Sequence, residues 1–176
     1  MEKNRKIITI LVIIAIILGV LFLLVKLKSG GVIHSDTGTF RIPSWGNGAP
    51  PLTITLTPEF AMKKHKGSDF DIYYFYNEEK DSAIGIYLGH NPGLFSNNIN
   101  RTESTNVFKN NKVIWYTWEE EVGNNIKINR ETIVDDFFPD EHTDYKGLMI
   151  HVFLKGNTIE EVDMLQNYVE SLKILE

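Results

Sequence analysis

The feature that most constrains this chain is an uninterrupted apolar run close to its N-terminus. Residues Ile7–Val25 read IITILVIIAIILGVLFLLV, with no charged side chain and a single polar one, Thr9. A helix rises about 1.5 Å per residue, so this run roughly matches a hydrocarbon core of about 30 Å. Inside lipid, a helix also satisfies its own backbone hydrogen bonds. The run therefore predicts a single transmembrane helix.

Two alternatives exist for Ile7–Val25. A buried core helix rarely runs this long without a polar face. A cleaved signal peptide has a shorter apolar region that ends in small residues, whereas Lys26 and Lys28 follow this run. The lipoprotein route requires a cysteine, and the chain has none. The sequence favours a retained signal anchor over both alternatives.

The charges around the apolar run predict its orientation. Three basic residues precede the run and two follow it: Lys3, Arg5, Lys6, Lys26 and Lys28. Positive charge prefers the cytoplasmic side of a membrane. We therefore expect a cytoplasmic tail over residues 1–6 and an extracytoplasmic C-terminal domain, periplasmic or extracellular. An exported domain without cysteine fits a bacterial host.

The remainder of the chain divides into a linker and one folded domain. Residues 26–51 contain Ser29, Gly30 and Gly31 and the Gly/Pro-rich stretch PSWGNGAPP, which predicts an irregular lead-in. Residues 52–176 alternate short β-like runs with turn signals, whereas Gly89–Asn111 is rich in Asn, Gly and Ser and predicts a loop. The predicted strands are Leu52–Thr57, Asp71–Tyr76, Ser82–Leu88, Val113–Glu120, Ile126–Val134 and Leu148–Leu154.

The C-terminus has the pattern of an amphipathic helix. Thr158 and Glu161 have capping-box spacing, in which each side chain satisfies an exposed amide of the first turn. An apolar stripe recurs at helical intervals: Ile159, Val162, Leu165, Val169 and Leu172. Such a stripe must be buried on a neighbouring layer. The predicted fold class is therefore α+β, with the transmembrane helix followed by an antiparallel sheet that at least one helix covers.

The order of these elements resembles that of PsbP-like domains and of the small exported DcrB-like proteins of the same superfamily. The resemblance rests on LTITLTPEF, on the strand of GSDFDIYYF with its hairpin, on the closing strand LMIHVFL, and on the helix that ends in Ser171-Leu172-Lys173. It implies an α/β/α-like sandwich built on an antiparallel sheet. It implies no catalytic residue, because that superfamily shares no active site.

Charge and motifs exclude several functions. From Gly30 onward, 13 Lys/Arg and 22 Asp/Glu residues give a net charge of −9, and an acidic surface repels phosphate backbones. We therefore expect no nucleic-acid partner. The sequence contains no G-x-S-x-G, H-E-x-x-H, P-loop or G-x-G-x-x-G motif and no cysteine nucleophile. These absences predict a protein that is not an enzyme and uses no cofactor.

An acidic stretch is the best candidate for a metal site. Its candidate ligands are Asp140, Glu141, His142 and Asp144, in the stretch that begins at Asp135. Oxygen-rich loops bind Ca²⁺, but this spacing lacks the Asp-x-Asp-x-Asp-Gly order of an EF-hand. We therefore predict a solvated loop without metal. His151 lies inside the apolar run LMIHVFL, and we expect it to have a protein partner at the sheet surface rather than a metal.

Aromatic residues supply the candidate binding surface. Alternation along a strand sends Tyr73 and Phe75 to one face and Tyr74 and Tyr76 to the other. Trp115 and Trp118 lie on a second predicted strand. Cross-strand packing is the usual reason for such residues, and stacking on a sugar or a partner peptide is the functional alternative. The candidate surface is Tyr74, Tyr76, Trp115 and Trp118.

Together these observations predict a single-pass membrane protein whose extracytoplasmic domain binds or assembles with a partner at the membrane surface. The alternative is a receptor domain for a small ligand or metal, which would use the aromatic face or the acidic loop over residues 135–144. A deep pocket with converging polar groups would favour the ligand, and an exposed apolar patch would favour a protein partner.

Overall fold

Two antiparallel sheets and one helix make up the described part of this protein. They are seen in a computed structural model, which describes residues 31–44, 50–96, 99–135, 137–138 and 147–175. Contacts group Val32–Glu176 into one compact unit.

The large sheet has eight strands, and every neighbouring pair is antiparallel. In spatial order the strands are β1 (Ile33–His34), β4 (Ala61–Lys66), β5 (Phe70–Asn77), β6 (Ser82–Gly89), β10 (Met149–Gly156), β9 (Asn125–Val134), β8 (Asn111–Val122) and β7 (Thr102–Phe108). The late strand β10 lies between β6 and β9, so it joins two hairpins, β5–β6 and β8–β9, into one sheet.

A small sheet and a helix cover one side of the large sheet. The small sheet has the order β11 (Lys173–Ile174), β3 (Leu52–Thr55) and β2 (Thr39–Ile42), and the helix α1 spans Ile159–Val169. We call the covered side of the large sheet the closed face and the other side the open face. The closed face and its cover form one apolar core, whose central members are Tyr73, Phe75, Ile84, Ile86, Ile150, Val152, Leu154, Val162, Leu165 and Val169.

Helix α1 begins where the sequence places it. The Thr158 hydroxyl accepts a hydrogen bond from the Glu161 amide at 3.2 Å. The Glu161 carboxylate accepts from the amide of Asn157 at 2.6 Å, one residue earlier than a capping box requires. Arg130 of β9 then ties the helix to the sheet by donating to Asp163 and Gln166, each at 2.7 Å.

The predicted α+β fold class is wrong, because the described residues form mostly antiparallel sheet and contain one short helix. The structure contains additional strands in polar segments, where the sequence has no apolar alternation from which to predict them. Ala61–Lys66 forms β4, and Thr102–Phe108 forms β7 inside the stretch predicted as a loop. Every residue of β7 before Phe108 is exposed, so this edge strand buries neither face and has no period-2 signal. An α/β/α-like sandwich is also not found in this part of the chain.

The predicted membrane helix requires a second correction. No helix among the described residues is long and apolar enough to cross a bilayer, and α1 has only 11 residues. The predicted transmembrane signal anchor therefore has no support in the described part of the chain. The predicted span itself, Ile7–Val25, lies outside the described residues.

Candidate functional site

The open face carries aromatic side chains where the closed face carries mainly aliphatic ones. In β10, His151 and Phe153 point to the open face, opposite Tyr87 and Gly85 of β6. The Phe153 ring lies over Gly85, where a Cβ atom would stand only 1.9 Å from the ring. Tyr74 of β5 packs against Phe153 in an edge-to-face geometry with ring centroids 5.7 Å apart. The glycine thus makes room for a ring that lies flat on the sheet.

The segment around Phe95 and Ser96, which follows β6 in the chain, folds over this face. Phe95 lies with its ring centroid 5.1 Å from that of His151 and 5.2 Å from that of Phe153. It nevertheless remains 60% exposed. The amides of Phe95 and Ser96 donate to the two oxygens of Glu131, at 3.0 and 2.8 Å. Glu131 is therefore the anchor that holds this segment on the sheet.

Glu131 also pairs with His151, whose Nε2 lies 2.7 Å from Glu131 Oε2. The Glu131 side chain is fully buried. Burial raises the pKa of Glu131, but the hydrogen bonds from His151 and from the Phe95–Ser96 backbone outweigh burial and lower its pKa below the usual value. A buried carboxylate with three donors is charged and satisfied. The prediction that His151 has a protein partner is confirmed.

Arg101 completes the attachment of this segment. Its guanidinium donates to Ser96 Oγ at 2.9 Å, and it stacks on the Tyr116 ring with 3.7 Å between Cζ and the ring centroid. It also lies 3.6 Å from the Glu103 carboxylate. A planar cation that stacks and donates at once fixes the start of β7 against β8.

Two clefts lie on opposite sides of β8, next to the part of this strand that follows Thr117, where its pairing with β7 ends. The helix-side cleft, of about 580 Å³, is bordered by the chain that leads into β7, residues 100–102, and by these residues of β8, β9 and α1: Thr117, Trp118, Glu119, Ile128 and Ile159. The open-side cleft, of about 450 Å³, is lined by Phe95, Ile99, Trp118, Glu119, Glu120 and Asn129. Both clefts share Trp118 and Glu119, so the backbone of β8 separates them.

The surface around the clefts is both apolar and acidic. Ile99 is 46% exposed, and Ile159 is 42% exposed. Glu119, Glu120 and Glu121 follow Trp118 along β8, and all three are exposed. The hydrogen bond from Lys155 lowers the pKa of Glu120 below its usual value, so this carboxylate is ionised at neutral pH. We define the β8 edge site as Phe95, Ile99, Trp118, Glu119 and Glu120.

The predicted binding surface is placed on two different faces. Tyr74, Tyr76 and Trp118 are partly exposed on the open face, where Trp118 stands opposite Asn129 of β9. Trp115 is only 2% exposed and lies in the core. It is three residues from Trp118, and an odd spacing along a strand reverses the face. Trp115 therefore contributes nothing to a binding surface.

The predicted metal candidates lie beyond the part of the chain that the structure describes: Asp140, Glu141, His142 and Asp144. Among the residues that are described, no group of three or more His, Asp, Glu or Cys side chains is arranged to hold a metal ion.

Sequence reasoning missed Phe95, Ile99 and Glu131. Phe95 and Ile99 lie in a polar stretch that predicts a loop, and a loop sequence does not show which strand it covers. Glu131 lies on the same side of the strand IKINRETIV as Lys127 and Asn129, so the alternation predicts a solvent-facing side chain. The sequence therefore gives no signal of its burial, which depends on the segment that folds over the open face.

No family model, curated protein or solved structure matches this chain. The resemblance to PsbP-like domains is left without support, and the function must be argued from the site alone.

Proposed function

We propose that this chain contains a non-enzymatic binding domain that recognises a protein partner through the β8 edge site. The observation that carries the proposal is the exposure of large apolar side chains there, beside a sheet whose other face is covered by a helix and a small sheet. Phe95 and Ile99 are among the most exposed large hydrophobic residues described, and both border the same cleft as Trp118. Exposed apolar groups gathered at one place are typical of interaction sites.

The arrangement of polar groups supports binding rather than catalysis. His151 and Glu131 are the described histidine and carboxylate that come closest to an acid–base pair, but both are buried beneath Phe95. The Glu131 oxygens already accept from His151 and from two backbone amides. A general base must reach the proton that it abstracts, and this pair has no free position at the surface. Its role is to hold the segment that carries Phe95.

A small-ligand receptor is the second candidate function. The helix-side cleft has a volume of about 580 Å³, within the range of roughly 300–1,000 Å³ that is usual for ligand pockets. Such pockets bury most of a ligand and orient it with converging polar groups. Here the clefts lie along a strand edge, and the exposed carboxylates of Glu119 and Glu120 border them. The edge location favours a macromolecule that extends beyond both clefts.

Site-specific photo-crosslinking in the native host tests the proposal. A photo-reactive phenylalanine analogue at Ile99 of the full chain should give a discrete higher-mass adduct with a second protein. Val107 is a matched control, because it is apolar and 64% exposed but lies on β7 away from the site. The adduct at Ile99 should disappear when Trp118→Ala is added, and the analogue at Val107 should give no such adduct.

Two results would contradict this proposal. One is a result in which the analogue at Ile99 gives no protein adduct beyond those that the analogue at Val107 gives. The other is an adduct that persists at full intensity in the Trp118→Ala chain. A small molecule that co-purifies with the chain and is lost in Trp118→Ala, without a protein adduct, would support the receptor instead.

A further inference from the structure

The edge of β8 is longer than the strand that covers it. β8 runs from Asn111 to Val122, and β9 pairs with it from Tyr116 to Val122. β7 pairs only up to Thr117, which stands opposite Thr102. The backbone from Trp118 to Val122 therefore has no strand on its outer side among the described residues. An unpaired edge presents backbone N–H and C=O groups that another chain can bind.

The two clefts lie on opposite sides of this free edge. Ile128 and Ile159 line the helix-side cleft from the closed-face side, and Phe95 and Asn129 line the other from the open-face side. An extended chain projects successive side chains to opposite faces. A strand added beside Trp118 and Glu119 would thus place neighbouring side chains in different clefts. Both clefts have apolar lining, so both suit an aliphatic side chain.

The charge on this edge selects the partner. Glu119, Glu120 and Glu121 are consecutive and exposed, so their carboxylates alternate between the two sides of the edge. Glu120 has Lys155 as a partner at 2.9 Å. Glu119 and Glu121 have no ion-pair partner in the described part of the chain. Like charges would repel an acidic segment, and a basic one would neutralise them.

We infer that the free edge of β8 at Trp118–Val122 binds an extended, lysine- or arginine-bearing segment of a partner protein, which adds to the large sheet as a ninth strand. Two adjacent aliphatic side chains of that segment fill the clefts, and its basic side chains pair with Glu119 and Glu121. This inference rests on the proposed function, since it names how the β8 edge site recognises its partner. Main-chain hydrogen bonds supply affinity in this mode, and the clefts supply specificity.

The test is a titration of the full chain with a fluorescent peptide that has two central isoleucines between lysine–threonine pairs. We expect saturable binding that weakens as salt is added, because exposed charges are screened. The same peptide with glutamate in place of lysine should bind at least about tenfold more weakly, as reversal of complementary charge predicts. No saturable binding of the basic peptide, or equal binding of the acidic one, would overturn the inference.

Variants of the chain locate the bound peptide. The double substitution Glu119→Lys and Glu121→Lys should weaken binding at least about tenfold, since both carboxylates face the segment. The double substitution Glu78→Lys and Glu79→Lys is the matched control, because both residues are exposed in the turn between β5 and β6 and line neither cleft, and it should leave affinity unchanged. Equal effects of the two changes would place the peptide elsewhere and overturn the inference.

A peptide that is N-methylated at alternate residues separates this inference from the proposed function. N-methylation removes the amide donors that a strand needs but keeps every side chain. We expect loss of detectable binding for the register in which the methyl groups face β8, and retained binding for the other register. If both methylated peptides bind as well as the parent, strand addition is wrong, whereas a Trp118-dependent crosslink at Ile99 would still support the proposed function.

Discussion

The closed and open faces of the large sheet are made from alternate residues of the same strands, but different elements cover them. In β10, Ile150, Val152 and Leu154 point to the closed face and are almost fully buried. Their neighbours His151 and Phe153 point to the open face, where a short segment led by Phe95 covers them. A helix and a second sheet cover the closed face, whereas a few residues around Phe95 cover part of the open face.

The difference lies in what holds each cover in place. On the closed face, α1 buries an apolar stripe from Val162 to Val169, and hydrophobic contacts hold it there, whereas Ile159 of the predicted stripe is exposed. On the open face, the cover is held by two backbone amides that bind Glu131, by Arg101 through Ser96, and by the ring contacts of Phe95. A cover of the first kind stabilises the fold, whereas a cover of the second kind leaves large side chains exposed for a partner. Substitutions on the two faces should therefore separate stability from binding.

The largest contrast should come from the two tryptophans of β8. Trp115→Ala opens a cavity in the core and should lower the free energy of unfolding by about 3–5 kcal/mol. Trp118 is partly exposed on the open face, so Trp118→Ala should cost less than about 1 kcal/mol, near the range of surface substitutions. Denaturant titration of both chains measures the difference. Equal losses would mean that the open face is a second core.

The helix on the closed face gives the next contrast. Leu165 is fully buried, and Leu165→Ala should lower the free energy of unfolding by about 2–5 kcal/mol. Glu160 is exposed on the same helix, and Glu160→Ala should cost well under about 1 kcal/mol. The two melts, run side by side, show whether α1 is part of the core. A small loss for Leu165→Ala would mean that the stripe of α1 serves a partner instead.

The pairing of the central strands follows from patterns that a sequence shows directly. The β-branched and aromatic run Asp71–Tyr76 and the run Ser82–Leu88 lie between turn signals and predict the hairpin that β5 and β6 form, in register from Phe70 to Asn77. The near-continuous run Leu148–Leu154 predicts a central strand, and β10 has a neighbour on each side. These strands can be predicted because most of their residues are apolar and turn residues mark their ends.

The edge strands and the candidate site lack such a pattern. β4 and β7 are largely exposed, so neither apolar period nor composition separates them from loops. The β8 edge site combines residues near position 95 with residues near 118 through the pairing of β9 with β10. That proximity depends on which strands are neighbours, which no local period encodes. Only Trp118 of the site was predicted from the sequence.

The tether of the open face should show as a dependence of stability on pH. Glu131→Gln removes a buried charge that three donors stabilise, and it should cost about 1–3 kcal/mol at neutral pH. The folded-state pKa of Glu131 lies below its ordinary value of 4.5. Its contribution to stability is therefore complete above about pH 4.5 and is lost as pH falls through the folded-state pKa.

Denaturant titrations at pH 7 and at about pH 3.5 measure this contribution, since carboxylates titrate between them. The unsubstituted chain should lose more stability over this interval than the Glu131→Gln chain does. Glu103→Gln is the control, because Glu103 is exposed and its carboxylate lies 3.6 Å from Arg101. An identical acid dependence in the unsubstituted and Glu131→Gln chains would show that Glu131 does not anchor the segment through its charge.

The smallest loss of stability should come from a substitution in the segment that covers the open face. Phe95→Ala removes the edge-to-face contact with Phe153, an interaction worth about 0.5–1.5 kcal/mol, and the ring is already 60% exposed. Val107→Ala, a change at another exposed apolar residue, should stay within about 0.5 kcal/mol. For each variant, the free energy of unfolding is measured together with the intensity of the crosslinked adduct from Ile99. Phe95→Ala should weaken the adduct although the fold is nearly unaffected. Val107→Ala should change neither the stability nor the adduct. If Phe95→Ala destabilises the chain as much as Leu165→Ala does, the open face is a packed core and the contrast between the two faces fails.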